Sequence, residues 1–465
     1  MTRLVLSSSF PRLLPKAIGA GLILLAGVAL VAPPMPGDAT AALAVILVTI
    51  GCWAGGFLPE HVVALGFFAV VTLLGLAPPE VAFAGFSSGP LWLIFAGLVF
   101  GLAMQETGLG RRAGLVGRRL HGASYARTVW TVVALAVGAI FVMPSAMGRI
   151  VLVTAIVAPL ADRLGYRPGG RGHTGLVLAG AFGTFLPAFA VLPANVPNMV
   201  LAGTFERLFG TSFSFFDYLL LHFPVLGLAR AAIVGGLVIR LYADRPDHGD
   251  SPEPEGPGPL RPGERRLAAV LAVAVTLWAT DALHGLSPAW VGLAAAVACL
   301  TPGLGILPAD ALKRLNWAPL LHVAAVIGIG TVATRLGLGQ WLAQAILGWM
   351  PLDGQGGIHD FAVLAGLPAL LGVVTTAPGV PAILTPMAAE LAAVSGLSVA
   401  TVAMLQVLGF STVLFPFQTP PMLAAAQASG VAMHEFQRLC LLTALAAVVV
   451  LWPLEWLWWQ VVGMP

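Results

Sequence analysis

Eleven apolar runs, most of them close to the length of a membrane crossing, follow one another along the chain. They fall at 17–32, 40–57, 62–77, 91–109, 175–209 (interrupted), 217–241, 267–284, 287–304, 318–336, 397–432 (interrupted) and 438–460, where a bilayer core takes about 20 helical residues. Of the 465 residues, 58% are hydrophobic and 9% charged, against about 25% charged in an ordinary soluble domain. Such a chain cannot cover its own surface in water, so lipid is its solvent and soluble classes are excluded. The net charge of +3 gives no reason to expect nucleic acid. Cys52, Cys299 and Cys440 sit in apolar stretches without metal-ligand spacing and read as buried thiols, not as a disulfide framework.

Basic residues mark the cytoplasmic side of a membrane protein. Arg3, Arg12 and Lys16 precede the first run, no clear cleavage pattern follows it, and Pro33-Pro34 comes next. This predicts a first transmembrane helix with its amino end in the cytoplasm. Two further apolar stretches need separate treatment. The first, 128–161, breaks at Met143-Pro144-Ser145-Ala146-Met147-Gly148 and has Arg111, Arg112, Arg118, Arg119 and Arg127 before it and Arg163, Arg167 and Arg171 after it. Both its ends face the cytoplasm, and each arm of about 16 residues is short for a span. That predicts a re-entrant hairpin entering from inside. The second, 361–395, breaks at Thr375-Thr376-Ala377-Pro378-Gly379-Val380-Pro381, and no Lys or Arg lies between Arg335 and Arg438. It reads as a hairpin entering from outside.

One hairpin from each side is what an inverted repeat produces. The polar, Pro- and Gly-rich stretch 244–266 divides the chain near its middle and reads as a cytoplasmic linker. It leaves an amino-terminal helix in 1–39, a first repeat at 40–243 and a second at 267–465. The halves share landmarks in order: Gly108 and Gly337 before the hairpins, Pro159 and Pro386 in the returning arms, and Pro197 and Pro421 in the breaks of the interrupted runs, 229, 227 and 224 residues apart. The fold class is therefore all-α and polytopic, about eleven transmembrane helices with two re-entrant hairpins. Unpaired backbone groups cost several kcal/mol in lipid, so irregular chain at mid-depth lines a cavity or is buried in protein. Two hairpin tips and two broken helices meeting there offer half-helix amino ends to an anion.

The hairpin tips and the breaks Leu192-Pro193-Ala194-Asn195-Val196-Pro197-Asn198 and Phe417-Gln418-Thr419-Pro420-Pro421-Met422, with Gly85-Phe86-Ser87 and Thr107-Gly108-Leu109, resemble those of the divalent anion/sodium symporters, carriers of sulfate, dicarboxylates and citrate. The likeness covers about residues 40–460. It implies an elevator-like secondary transporter of a small anion, a homodimer in the cell's inner (plasma) membrane, and sodium ions held at the tips and breaks. The sequence departs from the family where sodium binds. Arg149-Ile150-Val151 and Thr376-Ala377-Pro378 stand where the family carries Ser-Asn-Thr, and Met422 stands where Asn is usual. Ile, Val, Ala and Met offer a hard cation no side-chain oxygen, so no metal site is expected, and whether sodium binds at all is left open.

Arg149 is the candidate replacement. An intramembrane Arg is costly and tends to mark function, and its guanidinium can meet a carboxylate or sulfate in a bidentate pair. A fixed cation would remove the need for sodium and favour exchange, uniport or proton-linked transport. The expected substrate contacts are Ser145, Gly148, Arg149, Asn195, Pro197, Asn198, Thr375, Thr376, Thr419 and Pro420. Glu106 is expected to pair with Arg111 or Arg112. Arg230 and His322 read as structural hydrogen-bonders, with a proton route as the alternative. Asp281, His284 and Arg335 are expected at interfacial water, and Trp452, Trp456, Trp458 and Trp459 in an interfacial belt. Competing readings are an arsenite carrier or cation/proton antiporter of the same superfamily, a channel, and an intramembrane serine protease. The protease reading rests on Gly85-Phe86-Ser87-Ser88-Gly89, which matches G-x-S-x-G but has no convincing histidine partner.

Overall fold

The computed structural model describes residues 10–31, 35, 38–109, 123–143, 145–246, 259–348, 352–375 and 377–463. Arg111, Arg112, Arg118, Arg119, Pro144 and Thr376 lie outside the described residues, as does the Val151 side chain. Among the described residues the chain is helical with no strand, as backbone in hydrocarbon requires when each segment must satisfy its own hydrogen bonds.

The first half runs α1 (Phe10–Val31), α2 (Asp38–Gly55), α3 (Glu60–Leu73), α4 (Gly89–Thr107), α5 (Tyr125–Val142), α6 (Ala146–Arg163), α7 (Arg171–Phe185), α8 (Val196–Phe209) and α9 (Phe215–Tyr242). The second runs α10 (Pro262–Ala279), α11 (Pro288–Leu300), α12 (Ala318–Arg335), α13 (Leu338–Leu347), α14 (Ile358–Val374), α15 (Gly379–Ser395), α16 (Val399–Phe410), α17 (Pro420–Ser429) and α18 (Met433–Val462). Among the described residues, seven helices are long and apolar enough to cross a membrane, or up to eight if the bent pair α15 and α16 is one span, and four shorter apolar helices accompany them. Each apolar run of the sequence has its helix. α10 begins at Pro262, inside the stretch read as linker, and the Arg261 amide donates to Glu264 Oε2 at 2.7 Å to start it. The amphipathic α13 has no counterpart among the eleven runs.

Close helix crossings use glycine. A Cβ on Gly19 of α1 would lie 2.4 Å from the Gly51 carbonyl oxygen of α2, so only hydrogen fits there. The same is true of Gly85, whose added Cβ would lie 2.3 Å from the Ala324 carbonyl oxygen of α12. This close approach accounts for a glycine of the G-x-S-x-G match. In the same segment the Ser87 hydroxyl donates to the Ala84 carbonyl and the buried Ser88 hydroxyl to the Gly85 carbonyl. Neither meets a histidine among the described residues.

The two expected hairpins are helix pairs, α5–α6 and α14–α15. α5 and α6 each have 18 residues, longer than the arms read from the sequence, and α5 alone meets the length and apolarity of a span. Both pack on α7. The returning arm α6 packs on α17, which follows the second break, while the start of α15 packs on α8, which follows the first. The second helix of each pair thus packs against the helix that follows the break in the other part of the chain.

Glu106 pairs with Arg314 at 2.7 Å, while Arg111 and Arg112, its expected partners, lie outside the described residues. Two interfacial expectations are corrected. Asp281 is buried and accepts from the Ser214 hydroxyl and, at 2.6 Å, from the Phe215 amide, so it holds the start of α9. Trp459 is 1% exposed and Trp452 is buried, so these two face protein and not an interfacial belt.

Candidate functional site

A cavity of about 400 Å³ lies where both tips and both breaks come together. Its wall includes Ser145, Ala146, Met147 and Gly148 from the first tip, Pro193, Asn195, Val196 and Pro197 from the first break, Ala377 and Pro378 from the second tip, and Thr419, Pro420 and Pro421 from the second break. α4 contributes Gly97, Gly101 and Gln105, and α12 contributes His322. Glu60 and Arg314 also reach it. A larger groove of about 670 Å³ between α5, α6 and α10 is lined by hydrocarbon except for Thr276 and offers an anion nothing.

The amino ends of four helices, α6, α8, α15 and α17, border this space. Each end leaves backbone N–H groups without intrahelical partners and carries a partial positive charge. Sequence explains the ends. Ser145 caps α6, its hydroxyl accepting from the Gly148 amide at 3.3 Å. Pro197, Pro420 and Pro421 stand in first turns, where a missing N–H costs nothing. Asn195 occupies the cap position of α8 in extended conformation yet makes no capping bond. Its amide nitrogen and oxygen are both buried without a partner, on the cavity wall. An orphaned buried amide costs about 1–3 kcal/mol. A ligand with acceptor and donor oxygens would relieve that cost.

Arg149 is fully buried one helical position behind this wall. Its Nε donates to Thr184 Oγ1 at 3.0 Å and to the Thr184 carbonyl at 3.3 Å. Nη1 donates to the Met143 carbonyl at the tip, and Nη2 to the Ala194 carbonyl in the first break at 3.1 Å. The guanidinium therefore gathers oxygens from tip, break and α7. Neighbouring Ile150 is fully buried hydrocarbon.

Of the residues expected to meet substrate, Ser145, Gly148, Asn195, Pro197, Thr419 and Pro420 form cavity wall. Arg149, Asn198 and Thr375 stand behind it. Asn198 Nδ2 donates to the Phe189 and Val191 carbonyls, each at 3.1 Å, and so satisfies chain that the first break left unpaired. The Thr375 hydroxyl donates to the Leu371 carbonyl of its own helix. Ala377 donates its amide to the Gln418 carbonyl at 3.0 Å, tying the second tip to the second break. Gln418, missed in the sequence, accepts the Leu414 and Phe415 amides through Oε1 at 2.8 and 2.7 Å. His322, stacked edge-on to Trp53 with ring centroids 4.4 Å apart, leaves Nδ1 unpartnered. The one carboxylate-histidine trio found among the described residues, Asp353, His359 and Asp360, precedes and opens α14. Asp360 there already accepts the Asp353 and Gly356 amides.

Apolar helices interrupted at a cavity with a few polar groups, helix amino ends turned to it, are the arrangement of a multi-pass membrane protein that handles a small polar ligand. The family model described as the sodium:sulfate symporter transmembrane region matches residues 13–465, and the chain belongs to this family, the divalent anion/sodium symporters. Among its relatives is a protein of Cupriavidus necator named only as a membrane protein, 28% identical over 350 residues, covering 73% of this chain and 68% of that one. The L-tartrate/succinate antiporter of Escherichia coli is 25% identical over 337 residues, 69% of this chain and 67% of the antiporter. The protein of that name from Shigella flexneri matches to the same extent.

Proposed function

We propose that this protein exchanges small anions of the dicarboxylate, citrate or sulfate type across the cell's inner membrane, as a homodimer whose hairpins and broken helices move as an elevator. The two helix pairs act as re-entrant hairpins, α5–α6 from the cytoplasm and α14–α15 from outside, within an inverted repeat. The observation that carries the reading is the cavity bordered by four helix amino ends and by the unpartnered amide of Asn195. Donors without partners and partial positive charge favour a ligand of oxygen and negative charge. The antiporter among the relatives supports exchange of C4-dicarboxylates in particular.

Arg149 takes the part of a bound cation. Sodium would be held by hydroxyl and carbonyl oxygens, and the guanidinium collects that set of groups from the tip, the first break and Thr184. Substrate is held in front of it by Ser145, Asn195 and the amino ends of α6, α8, α15 and α17, with Thr419 on the wall at the second break.

Purified protein in liposomes, preloaded with succinate and challenged with labelled succinate, tartrate, citrate or sulfate, tests both claims. Uptake that depends on internal anion and persists in sodium-free buffer is expected. Strict sodium dependence would reject the role given to Arg149, and failure to move any anion would reject the carrier reading.

A further inference from the structure

Away from the cavity, α9 and α18 enclose a group of ionisable side chains that the anion site does not use. His222 Nδ1 lies 2.9 Å from Glu455 Oε1, and both residues are 0% exposed. Trp459 Nε1 donates to the same carboxylate oxygen at 3.2 Å. Arg230, also buried, makes no direct ion pair with Glu455 but lies near enough for its charge to act on the carboxylate. The group is sealed yet incompletely bonded, since His222 Nε2, Glu455 Oε2 and Arg230 Nη2 have no partner. Burying charges is costly, and a buried pair is weak evidence of stabilisation. Each buried polar atom left without a partner calls for an explanation.

Both helices are distorted at this level. α9 passes through a π-helical stretch at Phe223–Ala229 and α18 through another at Ala447–Leu451, and the two stretches touch through Val225, Ala447 and Leu451. Pro224 and Pro453 explain the loosening, because each removes a backbone donor from its helix. The Leu220 carbonyl, which would have taken the Pro224 N–H, takes the Trp458 indole N–H instead at 3.0 Å. Such bulges recur at functional sites.

The group is also wired to both broken helices. Arg230 Nη1 donates to the Ser411 carbonyl, at the start of the second break, at 3.1 Å. The Tyr218 hydroxyl, on the ring stacked edge-on to His222, donates to the Phe189 carbonyl in the first break at 2.9 Å.

We propose that His222 and Glu455 form an intramembrane proton-binding site, linked through Arg230 and Tyr218 to the two breaks, so that one proton accompanies the anion. The site rests on the anion-carrier reading for its purpose. With Glu455 ionised and His222 neutral, the carboxylate balances Arg230. Adding a proton converts carboxylate to carboxylic acid, breaks no other bond, and leaves Arg230 as an uncompensated cation. An anion entering the cavity then supplies the missing negative charge. The titratable and charged groups facing the pair are Tyr218 and Arg230. α14 presents Phe361 to Trp459, with its Asp360 committed to the Asp353 and Gly356 amides, and the breaks present carbonyls.

The test uses the full chain in liposomes preloaded with succinate and challenged with labelled succinate, tartrate, citrate or sulfate, with the pH set equal on both sides. A proton carried in with one anion is balanced by a proton carried out with the other, so the readout is the rate: exchange is expected to fall with a limiting slope of about tenfold per pH unit as pH rises past the site's titration. Glu455→Gln should exchange anion with a flat pH profile. A flat profile in wild type, or an unchanged slope in Glu455→Gln, overturns the proposal. If no anion moves at all, the carrier reading fails. The proton site is then decided by infrared difference spectra of detergent-solubilised wild type against Glu455→Gln and against the milder Glu455→Asp: a titrating carboxyl band assigned to Glu455 supports it, and none refutes it.

Discussion

Replacing Arg149 by alanine removes a cation and leaves its oxygens behind. Three residues whose oxygens now accept a charge-assisted bond, Met143 and Ala194 through their carbonyls and Thr184 through its carbonyl and Oγ1, lose their donor inside the protein. A buried acceptor left without a partner costs about 1–3 kcal/mol, so the three together stand to lose ~3–9 kcal/mol, less whatever local relaxation recovers. Even ~3 kcal/mol corresponds to about a hundredfold fall in the population in which tip, break and α7 are held together. Counterflow in sodium-free liposomes should therefore drop about a hundredfold in Arg149→Ala. The oxygens it uncovers form a cage suited to a small hard cation, so millimolar sodium, or free guanidinium, should restore part of the rate to the variant and add nothing to wild type. Arg149→Lys keeps the charge but loses the planar fork that reaches three directions, and should fall between the two. Thermal unfolding in detergent separates lost clasp from lost fold. Wild-type counterflow by Arg149→Ala without sodium would refute the reasoning outright.

Asn195→Asp sets a negative charge on the cavity wall, and anion affinity in counterflow should weaken by about 10–100-fold, since like charges ~4 Å apart repel by up to ~4 kcal/mol near a protein surface. An unchanged KM would remove Asn195 from the site. Ser87→Ala loses a single bond to the Ala84 carbonyl and should transport at the wild-type rate, whereas a protease nucleophile would be abolished. Gly85→Val forces a Cβ to within 2.3 Å of the Ala324 carbonyl oxygen, and overpacking of this kind costs about 1–3 kcal/mol or more. Its melting temperature in detergent should fall by several degrees, and an unshifted one would contradict the close approach of that turn to α12.

The spans were legible because hydrocarbon imposes one rule on every segment: an apolar helix of nearly fixed length. Breaks at Leu192–Pro197 and Phe417–Pro421 were legible for a related reason, since proline clusters cannot continue a helix. Arg149 stood out as a lone cation within an apolar run. Its acceptors could not be read, because Thr184 and Ala194 lie 35 and 45 residues away and nothing in their identity marks them. Distance along the chain hid the rest as well. His222 and Glu455 are separated by 233 residues, and each alone resembles a residue near the end of a span. Glu106 pairs with Arg314 across the halves, and nothing near either residue in sequence marks that partner. Charge patterns report on sides of a membrane, not on partners.

If Arg149 stands in the place of an ion, as proposed, what drives the cycle changes. A sodium ion that must bind before the tip closes brings the energy of its own gradient and also forbids the empty carrier from crossing. Arg149 is always present, so it supplies no gradient energy, and the tip is clasped whether or not substrate is bound. Something else must hold back the empty form. The charge around the cavity can do this: four helix amino ends, each worth roughly half a positive charge, and a guanidinium behind them. Carrying that field through the low-dielectric part of the bilayer is costly without a counter-charge, and an anion supplies one. An empty carrier is then the slow species and a loaded one the fast species in both directions, which is obligatory exchange. On this account, lowering the positive field without touching the substrate contacts should raise leak relative to exchange. Efflux from liposomes into anion-free buffer, compared with efflux into buffer containing the same anion, measures that ratio directly. In Arg149→Met the ratio of leak to exchange should rise even as the absolute exchange rate falls, and a ratio unchanged from wild type would show that the restraint on the empty carrier lies elsewhere.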